Sequence, residues 1–331
     1  MSRFLRALAA LAVLAAAASA FAFVRTTTSS GHPEDGLWLW WRPRQVTYAL
    51  NTDSFASIPG CDSAAQAAVD SFPVWTARLP GESQACTDFS FRNGGTTSEK
   101  ALGNDDLNLV VVRQGPCSSF AGADANCASS ATLGECIRAH NCWSHDAISN
   151  TSGSLAITTV HFVVSTGEIV DADLELQGWD GEDTSSGFYF TCTPAGSSCE
   201  GAQLYASTAS CVAYDVANTV THEAGHVLGL DHVCNPAYAA PYDACGSLSE
   251  DTMAPNATGG DTNKRTLEAD DIEGVCTIYP AGKPTVTSKA ASADGGCAGG
   301  EGGGLSLLGL LLLLARRSVR SARNISKYHA I

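Results

Sequence analysis

At 331 residues the chain has room for one large domain or two ordinary ones, and its 44% apolar content is that of a globular protein with a core, not of a disordered one. A formal charge of −15, from 34 acidic against 19 basic residues, argues against a nucleic-acid partner, which would need clustered Lys and Arg facing the phosphates. An acidic surface suits solubility outside the cell.

In chain order, residues 1–22 read as a secretory signal. Arg3 and Arg6 form the charged start, Leu8 to Ala18 the short apolar run, and small residues offer cleavage after Ala20 or Ala22. Residues 23–34 are polar and turn-rich and read as a leader to a folded domain spanning 35–281. The alternating stretch Gln45 to Leu50 predicts a first strand. Ser63 to Arg78 predicts a helix capped by Ser63, with Val69, Phe72 and Trp75 at helical spacing and Pro73 set to kink or end it.

Leu107 to Val112 and Ala156 to Val164 are strand-like, and Glu168 to Leu176 alternates acidic and apolar residues as a half-exposed strand would. Gly115 to Ser154 and Phe188 to Ala209 are rich in Cys, Ser and Gly and predict disulfide-tied insertions with little regular structure. A helix capped by Ser210 carries Ala213, Val216, Ala217, Val220, Ala224, Val227 and Leu228 on one apolar stripe. A last helix is predicted near Leu267 to Ile278, capped by Thr266. The fold class expected is α+β, with a twisted mixed sheet.

Twelve of the 13 cysteines fall between Cys61 and Cys276, an even number compatible with up to six bridges of undetermined connectivity, and Cys297 is left over. No C-x-x-C pair is present to suggest cysteine-bound zinc, so the cysteines point to an oxidising compartment.

The segment Thr221 to His232 reads THEAGHVLGLDH. His222 and His226, four apart, project from one helix face as two corners of a tetrahedral site. Gly229 lets the chain leave the helix so that His232 can supply a third nitrogen, and the fourth position stays open as in a catalytic zinc site. Glu223 stands beside the metal as the candidate general base toward a zinc-activated water. Histidines that only pack on an amphipathic helix are the plainer alternative.

This extended motif resembles that of the metzincin metalloproteases, closest to the matrixin type. The resemblance implies a methionine turn beneath the zinc, for which Met253 in Asp251-Thr252-Met253-Ala254-Pro255 is the candidate; a core-filling Met is the plainer alternative. LEADDIEGVCTIYP, Leu267 to Pro280, is similar to the closing helix of matrixin catalytic domains, and Tyr48 and Trp75 sit where such domains often carry aromatics. Val233 stands where matrixins usually carry Ser, Ala257 where they commonly carry Tyr, and no PRCGxPD-type cysteine switch is present. The resemblance implies peptide-bond hydrolysis on a protein or peptide substrate lying extended along a strand. Glu168 to Leu176 is the candidate for that edge, or else an ordinary strand with a solvated acidic face. Asp171, Asp173 and Glu175 are candidates for calcium, while His161, alone in its strand, reads as a packed residue and not a second zinc ligand.

Residues 282–297 read as a linker. An apolar run from Leu305 to Ala315 and the arginines 316, 317, 320 and 323 follow, and 298–315 is about long enough to span a bilayer. This order is similar to the myxobacterial C-terminal sorting signal, which implies a processing or anchoring role for Cys297; a plain single-span anchor is the alternative. The expected protein is an exported zinc metalloendopeptidase, secreted or held at the cell surface. A surface zinc-binding protein with a structural site is the rival, and a protease acting only on itself or one partner is another.

Overall fold

The structure, a computed structural model, describes residues 23–29, 36–56, 58, 60–76, 78, 83–145, 154–178, 188–194, 212–234, 246–288 and 324–330. It is a mixed α/β fold with a mostly parallel sheet and few helices. In chain order come β1 (Val24–Arg25), β2 (Trp40–Trp41), β3 (Gln45–Leu50), α1 (Ala64–Ser71), β4 (Ser90–Thr96), β5 (Asn108–Val112), α2 (Leu133–His140), β6 (Ala156–Val163) and β7 (Glu168–Leu176). After these follow β8 (Phe188–Thr191), β9 (Val212–Asp215), α3 (Val216–Leu228), β10 (Leu230–Asp231), α4 (Ala269–Ile278) and β11 (Asn324–Ala330).

The main sheet runs β11-β6-β7-β5-β3-β4, with β2 also on β7. Pairings among β2, β3, β4, β5 and β7 are parallel, whereas β6 runs antiparallel to β7 and β11 antiparallel to β6. β7 is therefore interior, which removes it as the edge for an extended peptide. The described sheet ends at β4 on one side and at β11 on the other, where β11 lies along β6 in register from Asn324↔Val163 to Ala330↔Ile157.

A bulge at Val170 resets the alternation of β7: Phe162 pairs with Ile169 and His161 with Asp171. Ile169, Ala172, Leu174 and Leu176 face the main core with Val216, Val220, Ala224 and Leu228 of α3. Asp171, Asp173 and Glu175 take the opposite face, and they are buried (0, 1 and 0% exposed) where the alternating pattern predicted a solvated face. The segments around Gly103–Asp105 and Arg113–His145 close over them.

α1 begins at Ser63, whose hydroxyl accepts from Gln66 N at 3.1 Å, and gives way at Phe72–Trp75 to a 3₁₀ turn containing Pro73. The 115–154 insertion holds more regular structure than its composition predicted, including α2, and is tied by Cys117–Cys142 and Cys127–Cys136. Cys61–Cys192 and Cys86–Cys276 bridge distant parts of the chain, and Cys234 is also disulfide-bonded. Such bridges are compatible with an extracellular protein.

Residues 23–29 of the leader pack on the domain. β1 pairs antiparallel with β10, and Arg25, 5% exposed, lies over Trp38 while donating to Val286 O at 2.7 Å and Leu39 O at 3.1 Å. Burial pulls the Arg25 guanidinium down to about 10. Since Val286 N in turn donates to Ile278 O, the first residues of the 282–297 linker also pack on the domain. Residues 1–22 and the apolar tail with Cys297 lie outside the described residues, among which no helix is long and apolar enough to cross a membrane.

Candidate metal centre

α3 starts later than its apolar stripe predicted. Ala213 belongs to β9, Ser210 lies outside the described residues, and the N-cap is Asp215, whose carboxylate accepts from Asn218 N at 2.7 Å. Arg265 pairs with the same carboxylate, so the cap is also charge-neutralised. The helix stops at Gly229 in the left-handed region, φ 98°, where a Cβ would stand 2.9 Å from Leu39 O. From that turn the chain enters β10, which β1 holds, and His232 follows.

The result is a triangle of imidazole nitrogens. Nε2 of His222 lies 3.1 Å from that of His226 and 3.2 Å from that of His232, and the latter two are 3.1 Å apart. Two nitrogens bound at about 2.05 Å to a tetrahedral ion would stand about 3.3 Å apart. The other face of two rings is committed to carbonyls: His222 Nδ1 donates to Thr252 O at 2.5 Å and His226 Nδ1 to Leu230 O at 2.9 Å. A neutral imidazole that donates through Nδ1 carries a lone pair on Nε2. Two such lone pairs aimed at one point repel unless a cation lies there, so the donor set fits a metal ion. Burial, with Lys264 and the neighbouring histidines, holds His222 well below its ordinary value, which keeps it in the neutral, ligating form.

The floor of the site is built from three elements. Met253 is 1% exposed, and a Cβ at Gly225 would fall 2.3 Å from its Sδ and 2.7 Å from the Trp75 ring. The thioether thus packs directly under the helical turn that carries both histidines. The Asp271 carboxylate of α4 accepts from Thr252 N at 3.0 Å and Met253 N at 3.1 Å, and Met253 O accepts from Val233 N at 3.1 Å. Asp271 also accepts from Glu268 N at 2.9 Å; the cap of α4 is therefore Glu268 and not Thr266. Lys264, 4% exposed, bonds Ala254 O and comes within 3.4 Å of His222 Nδ1. Burial pulls its ammonium down to about 7 against the upward pull of Asp271 and Glu223.

Glu223 is fully buried, with Oε2 accepting from the Thr158 hydroxyl of β6 at 2.6 Å. Its Oε1 is buried with no hydrogen-bond partner among the described residues. Burial pushes the carboxyl up to about 8, against the opposing pulls of Thr158 and Lys264. Thr158 and Lys264 carried no motif by which sequence could single them out.

A second group forms on the far face of β7. Ligand atoms of His161, Asp171 and Asp173 lie within 4.8 Å of one another. The strand pairing that sets His161 opposite Asp171 turns the apparently lone histidine toward the acids. Asp173 accepts from Leu109 N at 2.9 Å and Gly103 N at 3.0 Å, and Asp171 from Asp105 N at 3.3 Å, while Asp171 Oδ1 is buried with no hydrogen-bond partner among the described residues. Burial, reinforced by Asp105, pushes Asp171 up to about 7; burial and Asp171 push Asp173 up to about 8. Glu175 does not join them. Burial would raise it, but Arg113 at 2.5 Å and His145 at 2.7 Å hold it below its ordinary value. Each of these two groups could hold a metal ion.

Comparison with protein-family models and with curated proteins returned no match for this chain.

Proposed function

We propose that the chain is a zinc-dependent metalloendopeptidase of metzincin type that acts on protein or peptide substrates outside the cytoplasm. The observation that carries this reading is the convergence of three imidazole nitrogens on one point, beside a glutamate with one oxygen held and the other without a hydrogen-bond partner among the described residues. His222, His226 and His232 would hold the ion. Zinc bound there would supply Lewis acidity, polarising a scissile carbonyl and acidifying water toward a pKa of about 7.

Glu223 then has a defined part. Thr158 fixes Oε2, which leaves Oε1 to take a proton from the attacking water and deliver it to the leaving amine. With β11 displaced, β6 would offer its edge to an extended peptide by the main-chain pairing that β11 makes there. The apolar tail, by its resemblance to a sorting signal, would deliver the domain to the cell surface.

One observation favours a second reading, a surface protein with a structural zinc. His222, Glu223 and His226 are each 0% exposed, and β11 lies along the edge where substrate would sit. Purified exported protein, with and without residues 324–331, separates the two. The protease reading expects one zinc per chain, cleavage within a diverse peptide library by at least the shortened form, and loss of that cleavage on chelation. Glu223→Gln should keep the zinc and lower kcat/KM by roughly 10²–10⁴-fold. Zinc retained by both forms without cleavage in either would establish the structural reading.

A further inference from the structure

The signal-like residues 1–22 offer two exits, after Ala20 or after Ala22, and sequence alone does not choose between them. The fold does. Phe23 N donates to Asp270 Oδ1, in the first turn of α4, at 2.8 Å. The Phe23 side chain lies against Gly274 one turn on, where an added Cβ would fall 3.2 and 3.3 Å from its Cβ and Cγ. The next two residues are β1, which holds β10.

We infer that cleavage between Ala22 and Phe23 completes the fold, because the freed α-ammonium of Phe23 becomes the cation held by Asp270 at the head of α4. A signal-cleaving peptidase hydrolyses the Ala22–Phe23 bond. Water gives its hydroxyl to the Ala22 carbonyl carbon and a proton to the Phe23 nitrogen, which takes a further proton from solvent, as an α-amine of pKa about 7.7–8.0 does at neutral pH. Before the cut this nitrogen is a neutral amide with one N–H. Afterwards it carries a unit charge and three donors at the same place, and charge-assisted hydrogen bonds are about twice as strong as neutral ones.

The surroundings are acidic. Glu268, Asp270, Asp271 and Glu273 crowd the first turns of α4. Burial and then the Asp270 charge hold Glu273 above its ordinary value; burial, Asp271 and Asp270 do so for Asp251. A cation at Phe23 N relieves this crowding. Cleavage after Ala20 would leave Phe21-Ala22 in front and carry the charge away from Asp270. The inference rests on the signal reading of residues 1–22 and is independent of any protease activity.

N-terminal sequencing of the exported protein gives the first test: a start at Phe-Val-Arg-Thr is expected, and a start at Phe21 or elsewhere overturns the inference. The second compares chains 23–331 and 22–331, released from cleavable fusions, in the natural sequence and in Asp270→Asn. The extra Ala22 should lower the thermal midpoint by about 2–4 °C in the natural background and leave Asp270→Asn unchanged. No shift, or the same shift in both backgrounds, overturns it. Should an altered chain fail to fold, acylation of the Phe23 amine in the unaltered protein decides. A rate about ten-fold below that of a free Phe-Val-Arg-Thr peptide is expected, and an equal rate refutes the pairing.

Discussion

At the scale of single residues, the metal centre depends on what cannot be added as much as on what is present. Gly225 lies between the two helical histidines, and Met253 Sδ would stand 2.3 Å from any Cβ there. Gly225→Ala should therefore push α3 off its floor, destabilising the fold by about 1–3 kcal/mol and weakening metal affinity together. Thermal unfolding with and without zinc, alongside chelator competition, measures both; an unchanged affinity would show that the floor does not position the ligands. The convergence of His222, His226 and His232 was legible from sequence, because four-residue spacing and a glycine exit dictate geometry locally. Thr158 and Lys264 were not, since nothing within their own segments reveals that β6 and residue 264 arrive at α3.

At the scale of elements, β7 shows how a correct strand prediction can assign the wrong environment. Period-two alternation locates Glu168 to Leu176, but it cannot distinguish acids facing water from acids facing a covering loop. Glu175 is compensated by Arg113 and His145; Asp171 and Asp173 have backbone amides and His161. Raised folded-state values mean that these two carboxyls favour the folded state fully below their unfolded pKa, about 4, and that this contribution is lost as pH rises through about 7 and 8. Metal-stripped protein should thus lose thermal stability across that window, Asp173→Asn should lessen the loss, and a divalent cation bound at the group should reverse it. A pH profile identical in Asp173→Asn and natural protein would contradict this account. The helix starts show the same limit: Ser210 and Thr266 are good caps by type, but Asp215 and Glu268 occupy the positions that tertiary pairing with Arg265 and with the turn at Thr252 selects.

At the scale of the molecule, two bridges connect distant parts of the chain: Cys86–Cys276 spans 190 residues and Cys61–Cys192 spans 131. Replacing Cys86 and Cys276 together by Ala should lower stability by about 2–5 kcal/mol, read by denaturant unfolding of the oxidised protein, with the larger share of the effect on α4. Cysteine counting indicated that such bridges exist; only the fold reveals which ends they join. The packing of residues 23–29 escapes a local reading for a related reason. Residues 23–34 look like a leader because they are short and polar, yet Arg25 finds Trp38, Leu39 and Val286, partners invisible to any local window.

The antiparallel contact between β1 and β10 also bears on the order of assembly. It joins the third histidine's segment to the beginning of the domain, and Arg25 joins that beginning to residue 286. A growing chain that has displayed all three histidines still lacks α4, the Cys276 bridge and the carbonyl that receives Arg25. Any ion capture by a preformed triad would therefore belong to the completed, released polypeptide, and a chain interrupted before residue 286 would carry all three histidines without the scaffold that closes around them.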